Sequence, residues 1–156
     1  LVAQPIAEFL FRHPNWKLTV IGDIDIRPYK DIFSEAQIEM RPLVAHINLA
    51  YELRRLNINL IPLERNPFCD SKSPLKWYEA ALCGVPSIAI SSPMYEKLFN
   101  EGYSGLVAST KDEWLDHISC LANSTELRKE LADNARVQAL RCFKPSVMVD
   151  QLKSVL

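Results

Sequence analysis

The chain has 156 residues, a formal charge of −1, 48% hydrophobic and 24% charged residues, and only four glycines beside ten prolines. That balance fits one ordinary globular domain and argues against a nucleic-acid binder, which carries a basic surplus. The scattered glycines (Gly22, Gly84, Gly102, Gly105) also exclude a Walker loop or dinucleotide fingerprint, which concentrates two or three in one stretch.

Taken in chain order, helical and extended patterns alternate. Residues 5–12 read as a helix, with Pro5 in the first turn, Ile6, Phe9 and Leu10 on one face, and His13-Pro14 as the stop. Residues 17–21 are a short apolar strand closed by Gly22. A helix is expected over 28–36, carrying Ile32, Phe33 and Ala36, then a short strand near 38–40. Leu43, Ile47, Ala50, Leu53 and Leu56 recur at helical spacing and predict a helix over 43–56. Residues 57–63 (N-I-N-L-I-P-L) are a second apolar strand, followed by a polar loop over 64–73. Ser73-Pro74 reads as a hydroxyl N-cap with proline at the first helical position, and the helix carries Leu75, Tyr78, Ala81 and Leu82 to Gly84. Beyond it come a strand (87–90), a helix (94–100), a short strand (105–107), and helices over 111–122 and from Asn123 or Ser124 to about Cys142. A last amphipathic helix is expected over 146–156.

Short apolar strands alternating with helices imply an α/β domain with a Rossmann-like parallel sheet covered on both faces, and ligands in such sheets sit at the carboxyl ends of the strands. The chain opens on a helix and lacks an initiator Met, which suggests an excised piece whose first strand lies upstream. No apolar run reaches the length of a membrane span, and the first residues carry no signal-peptide pattern. Cys69, Cys83, Cys120 and Cys142 form no C-x-x-C pair and His13, His46 and His117 are scattered, so reduced thiols are expected rather than a zinc site. Asp23 and Asp25 read as strand-ending loop residues, since no receiver-type lysine and acceptor aspartate accompany them. Trp16, Trp77 and Trp114 read as packing residues, with a place near the ligand as the alternative for Trp77. Arg54-Arg55 fits a helix end and Arg128-Lys129-Glu130 a solvated face.

The chemistry concentrates after the second strand, where three features coincide. A helix starting at Ser73, Pro74 and Leu75 offers free N–H groups and a positive dipole end at the ligand side of the sheet, an anion site that needs no glycine. Lys72 precedes it and can reinforce a phosphate. Glu79 lies one turn inside, and a carboxylate there can accept hydrogen bonds from vicinal hydroxyls such as a ribose presents. Together they describe a site for a nucleoside diphosphate.

The stretch K-S-P-L-K-W-Y-E-A-A-L-C-G-V-P (72–86), followed by E-G-Y-S-G-L-V-A (101–108) and a D-E-W helix, resembles the C-terminal half of a retaining glycosyltransferase of the GT-B fold, family 4 or a close relative. The resemblance covers nearly the whole chain. It implies one domain over 1–156 that binds a nucleotide-sugar donor, as part of a larger two-domain enzyme. It implies that Glu79 holds the ribose hydroxyls, that the turn Pro42-Leu43-Val44 after Arg41 meets the nucleobase, and that Gly22 is the family's strand-end glycine. The family's E-x7-E pattern places its first Glu where this chain has Ser71, with Asp70 beside it. That departure leaves recognition of the hexose to Asp70, Ser71 or a site reorganised by Lys72. The family's Arg and Lys phosphate clamp and its acceptor domain fall upstream of Leu1.

The expected function is therefore the donor half of a sugar transferase that works without a metal or other cofactor, the isolated chain being inactive. A sugar-nucleotide epimerase of the same fold and a degenerate non-catalytic binding module are the alternatives. No residue reads as a nucleophile or base. The expected setting is cytoplasmic, with peripheral seating at the inner face of a membrane left open. No nucleic-acid partner is expected.

Overall fold

The computed structural model describes residues 2–142 apart from 65 and 71, and the backbone alone at 67 and 70. Helix α1 (Ala3–Arg12) leads into β1 (Leu18–Ile21), and two 3-10 turns (Arg27–Tyr29 and Glu35–Gln37) bring the chain to β2 (Ile38–Arg41). Then follow α2 (His46–Leu53), β3 (Asn59–Ile61), α3 (Pro67–Asp70), α4 (Leu75–Leu82) and β4 (Ser87–Ile90). The chain continues through α5 (Pro93–Phe99), β5 (Leu106–Ala108), α6 (Lys111–Asn123) and α7 (Thr125–Cys142).

All strand pairs are parallel. β1 pairs with β2, Leu18 opposite Ile38, and the Gly22 N–H extends that ladder by donating to the Arg41 carbonyl at 3.0 Å. β3, β4 and β5 form a second ladder, with Asn59 opposite Ser87 and Ile88 opposite Leu106. The single sheet expected from the alternation is thus in two pieces, because no described strand joins β1 to β3.

Helices cover both faces, and β4 shows why. All four of its residues are buried. Ile88 and Ile90 join Ile6, Phe9 and Leu10 of α1 and Trp114, Ile118 and Leu121 of α6. Ala89, pointing the other way, joins Trp77 and Ala81 of α4, Tyr95 and Phe99 of α5, and Ala135 and Ala139 of α7. Alternate side chains of an extended strand face opposite sides, so a strand buried along its length must carry a helix layer on each. The helix caps follow their chemistry. Ser92 Oγ accepts from Tyr95 N–H ahead of α5. Thr110 and Glu113 form a reciprocal capping box at α6, and Ser124 Oγ accepts from Leu127 N–H at 3.1 Å ahead of α7.

Five expectations are corrected. Residues 28–36 are not one helix but two short turns: Ile32 and Ala36 are exposed, only Phe33 packs on the core, and a nine-residue helix needs a buried face to persist. The helix expected over 43–56 is shorter, spanning His46–Leu53, and of the expected apolar face only Leu53 is buried. Leu43 and Ile47 are exposed, whereas Glu52 turns inward to an ion pair with Arg41. The loop over 64–73 contains α3, whose start is marked by Asn66-Pro67: Asn66 Oδ1 accepts from Cys69 N–H at 2.8 Å. Ser73 does not cap α4; Pro74 occupies the N-cap position, and among the described residues no side chain caps it. Arg128 is not merely solvated, since its guanidinium donates to the Leu121 and Ala122 carbonyls at the carboxyl end of α6. The helix expected over 146–156 lies outside the described residues.

Candidate functional site

At the carboxyl ends of the strands, β1 yields to Gly22, β2 to Pro42-Leu43-Val44 and β3 to the segment leading into α4. Gly22 sits at φ +101°, a conformation that glycine adopts without strain, and a Cβ built there would touch Leu43 Cδ1 at 3.6 Å. The strand-end glycine and the 42–44 turn are therefore packed together.

Arg41 anchors that turn from below. Its guanidinium donates to Glu39 through Nε (3.0 Å) and Nη2 (2.9 Å) and pairs with Glu52 of α2 through Nη1. Only 14% of the Arg41 side chain and 16% of Glu52 are exposed. The strand end and the following helix are thus tied across the turn, by charge-assisted bonds shielded from solvent. The hydrogen bonds from Arg41 hold the Glu39 carboxyl below the usual carboxylate range, and those to Glu39 and then Glu52 push the guanidinium up.

Helix α4 stands beside α2. His46, the first residue of α2, places Nε2 at 3.3 Å from Oε1 of Glu79. One turn further along both helices, the Cys83 thiol lies 3.8 Å from the Ala50 carbonyl. Equal steps of four residues on both helices mean that α2 and α4 run side by side in matched register. Burial pushes the Cys83 thiol above its usual range against the pull of Arg54, which keeps it in the poorly nucleophilic thiol form.

The roll of α4 is set by Trp77. Its indole is wholly buried and its Nε1–H donates to the Ser104 carbonyl at 3.2 Å. Trp77 is therefore a core residue. Glu79, two residues on, emerges on another side of the helix and keeps 21% of its side chain exposed. Among the described residues no side chain caps the start of α4, where the first-turn N–H groups at Leu75 and its neighbours have no carbonyl partner within the helix. Lys72 and Ser73 are exposed just ahead of it, and Lys72 Nζ lies 4.4 Å from the Phe68 ring centroid, held there by cation–π attraction. Leu75 is exposed at the same rim. The Ser71 position and the Asp70 side chain lie outside the described residues, so the hexose-side expectations do too.

The structure thus joins Glu79 to the 42–44 turn through His46, which the sequence reading passed over as one of three scattered histidines. Its only signal was its place at the start of a helix directly after the turn. Asp25 plays no part in this site. It pairs with Arg27 at 2.8 Å within the β1–β2 connection, and that bond lowers its pKa. Among the described residues no three His, Cys, Asp or Glu side chains converge as a metal site would require, and no helix is long and apolar enough to cross a membrane.

Solved structures share this fold. The C-terminal domain of the glycosyl transferase group 1 protein LpcC from Francisella tularensis superposes with a TM-score of 0.75 at 18% identity, covering 92% of this chain and 77% of that one. HepE from Anabaena, solved with UDP and glucose, gives 0.75 at 17% identity over 97% of this chain and 43% of that one. TarM from S. aureus, in a complex containing UDP, gives 0.76 at 14% identity over 97% and 31%. The chain therefore spans less than half the length of those two proteins. No curated protein matches. The superposed domains place the chain among GT-B C-terminal domains, α/β with parallel strands flanked by helices. The family model for glycosyl transferase-like proteins matches residues 4–154, and the chain belongs to that family.

Proposed function

We propose that this chain is the donor-binding domain of a larger sugar transferase that takes a nucleotide-sugar and transfers the sugar with retention. The observation that carries the reading is the contact between Glu79 on α4 and His46 at the end of the 42–44 turn. A ribose on Glu79 and a base against Pro42, Leu43 and Val44 would then be neighbours, as they are in a nucleoside. The diphosphate would lie at the uncapped start of α4, at Ser73, Pro74 and Leu75, where free N–H groups, the helix dipole and Lys72 oppose its charge. The same groups would stabilise the departing diphosphate as its charge grows, electrostatic work that requires neither a metal nor a protein nucleophile. Asp70 and Ser71 would face the hexose, and the acceptor would come from another domain.

That HepE and TarM were solved with UDP supports a uridine nucleotide as the first candidate ligand. The family model favours transfer over epimerisation within this fold. The test is calorimetric titration of the chain with UDP, GDP and ADP, with Glu79→Ala as control. One nucleotide should bind, and the variant should lose tenfold or more, on the order of the 1.5–3 kcal/mol of a hydrogen bond to a charged group. Absence of binding by all three, or equal binding by the variant, would overturn the site. The chain alone should transfer no sugar.

A further inference from the structure

We propose that His46 is a positioning residue of the donor site: its Nε2–H fixes the Glu79 carboxylate in the orientation that receives the ribose. The proposal rests on the donor-site reading above and names a residue that the motif does not contain.

A carboxylate can only accept hydrogen bonds, so at 3.3 Å from Oε1 the Nε2 atom must carry the hydrogen. Each carboxylate oxygen has room for two bonds. His46 takes one place on Oε1 and sets the plane of the group. Among the described residues no other side chain takes Oε2 or the second place on Oε1, which could receive two hydroxyls. Without such a partner, a glutamate on a helix surface turns freely about its last torsion and must be ordered by the ligand itself.

Three further features make this contact more than a chance surface pair. Glu79 keeps only 21% of its side chain exposed, so the bond is partly sheltered from water on the Glu79 side, whereas His46 is 85% exposed. The backbone that carries His46 is held by Arg41, which ties β2 to α2 through Glu52. The matched register of α2 and α4, repeated at Ala50 and Cys83, fixes the distance between the two helices. His46 therefore reports the position of the 42–44 turn directly to Glu79, linking the base end of the site to the ribose end.

The experiment uses the 156-residue chain and whichever of UDP, GDP or ADP it binds, with the 2′,3′-dideoxy form of that nucleotide as a second probe. His46→Ala should weaken binding of the ribose nucleotide about threefold to tenfold, the range of one modest hydrogen bond. It should leave the dideoxy form unchanged. His46→Gln keeps an N–H donor of similar reach and should restore binding to within twofold. In a Glu79→Ala background, His46→Ala should have no further effect. If Glu79→Ala weakens binding but His46→Ala does not, the proposal falls and the donor site stands. Equal weakening of both nucleotides by His46→Ala, or failure of Gln to rescue, likewise rejects the positioning role. If the unsubstituted chain binds none of the three nucleotides, the donor-site reading itself fails, and this proposal with it.

Discussion

Trp77 and Trp114 offer a matched pair for measuring what holds α4, and with it Glu79, in place. Both indoles are wholly buried. Trp77 Nε1–H donates to the Ser104 carbonyl, whereas Trp114 Nε1 has no partner among the described residues. Replacing either by Phe removes similar apolar area, at a cost of about 1–2 kcal/mol for the smaller ring and the space it leaves. Trp77→Phe also strands the carbonyl of Ser104, itself a buried residue, adding about 1–3 kcal/mol. Trp114→Phe removes a donor that was already unsatisfied and relieves its desolvation. The Trp77 variant should therefore be the less stable by about 1–3 kcal/mol. With a urea dependence of about 1–3 kcal/mol per molar, this separates the two midpoints by roughly 1 M. Urea melts followed by circular dichroism measure it. Midpoints that coincide, or a Trp114 variant that melts first, would refute the assignment of the hydrogen bond as the difference. If Trp77 acts through the roll of α4, the folded Trp77→Phe protein should also bind nucleotide more weakly, although its indole is wholly buried.

Two further outcomes follow from local geometry. At Gly105 a Cβ would come within 2.7–2.9 Å of the Phe99 ring, which Tyr95 and Trp77 confine; Gly105→Ala should cost about 1–3 kcal/mol in a thermal melt, and a melt unchanged from the parent would show that the ring can yield. Burial raises the Tyr95 hydroxyl from 10.0 to about 12. A raised folded-state pKa gives a contribution that is complete below pH 10 and lost as pH climbs through 12, so stability should fall by about 2–3 kcal/mol over that window. Tyr95→Phe should flatten the decline, and an equally steep decline in the variant would assign it to other groups.

Most elements were legible because their signals are local. The apolar runs of β1, β3 and β4, the positive-φ glycine after α4 and the Ser124 cap of α7 each depend on a few neighbouring residues. The helices expected over 28–36 and 43–56 failed for one reason. Leu43 and Ile47 sit at helical spacing, but periodicity states only that a face is apolar, not that anything covers it. The Arg41–Glu52 pair, eleven residues apart, could not be read locally either, since its value arises only when both groups are shielded from water. Ser73-Pro74 likewise carries a correct capping signature, yet the proline itself takes the cap position.

The sequence by itself determined the α/β class, the family likeness and the candidate Glu79, because these rest on residue type and spacing along one chain. Only the tertiary structure decided which groups share the site. Gly22 meets Leu43, Arg41 grips Glu52, Trp77 turns into the core, and His46 reaches Glu79 across 33 positions. Contacts of that separation depend on how two helices are rolled and spaced, which is fixed by packing against a common sheet and by no local preference of either segment.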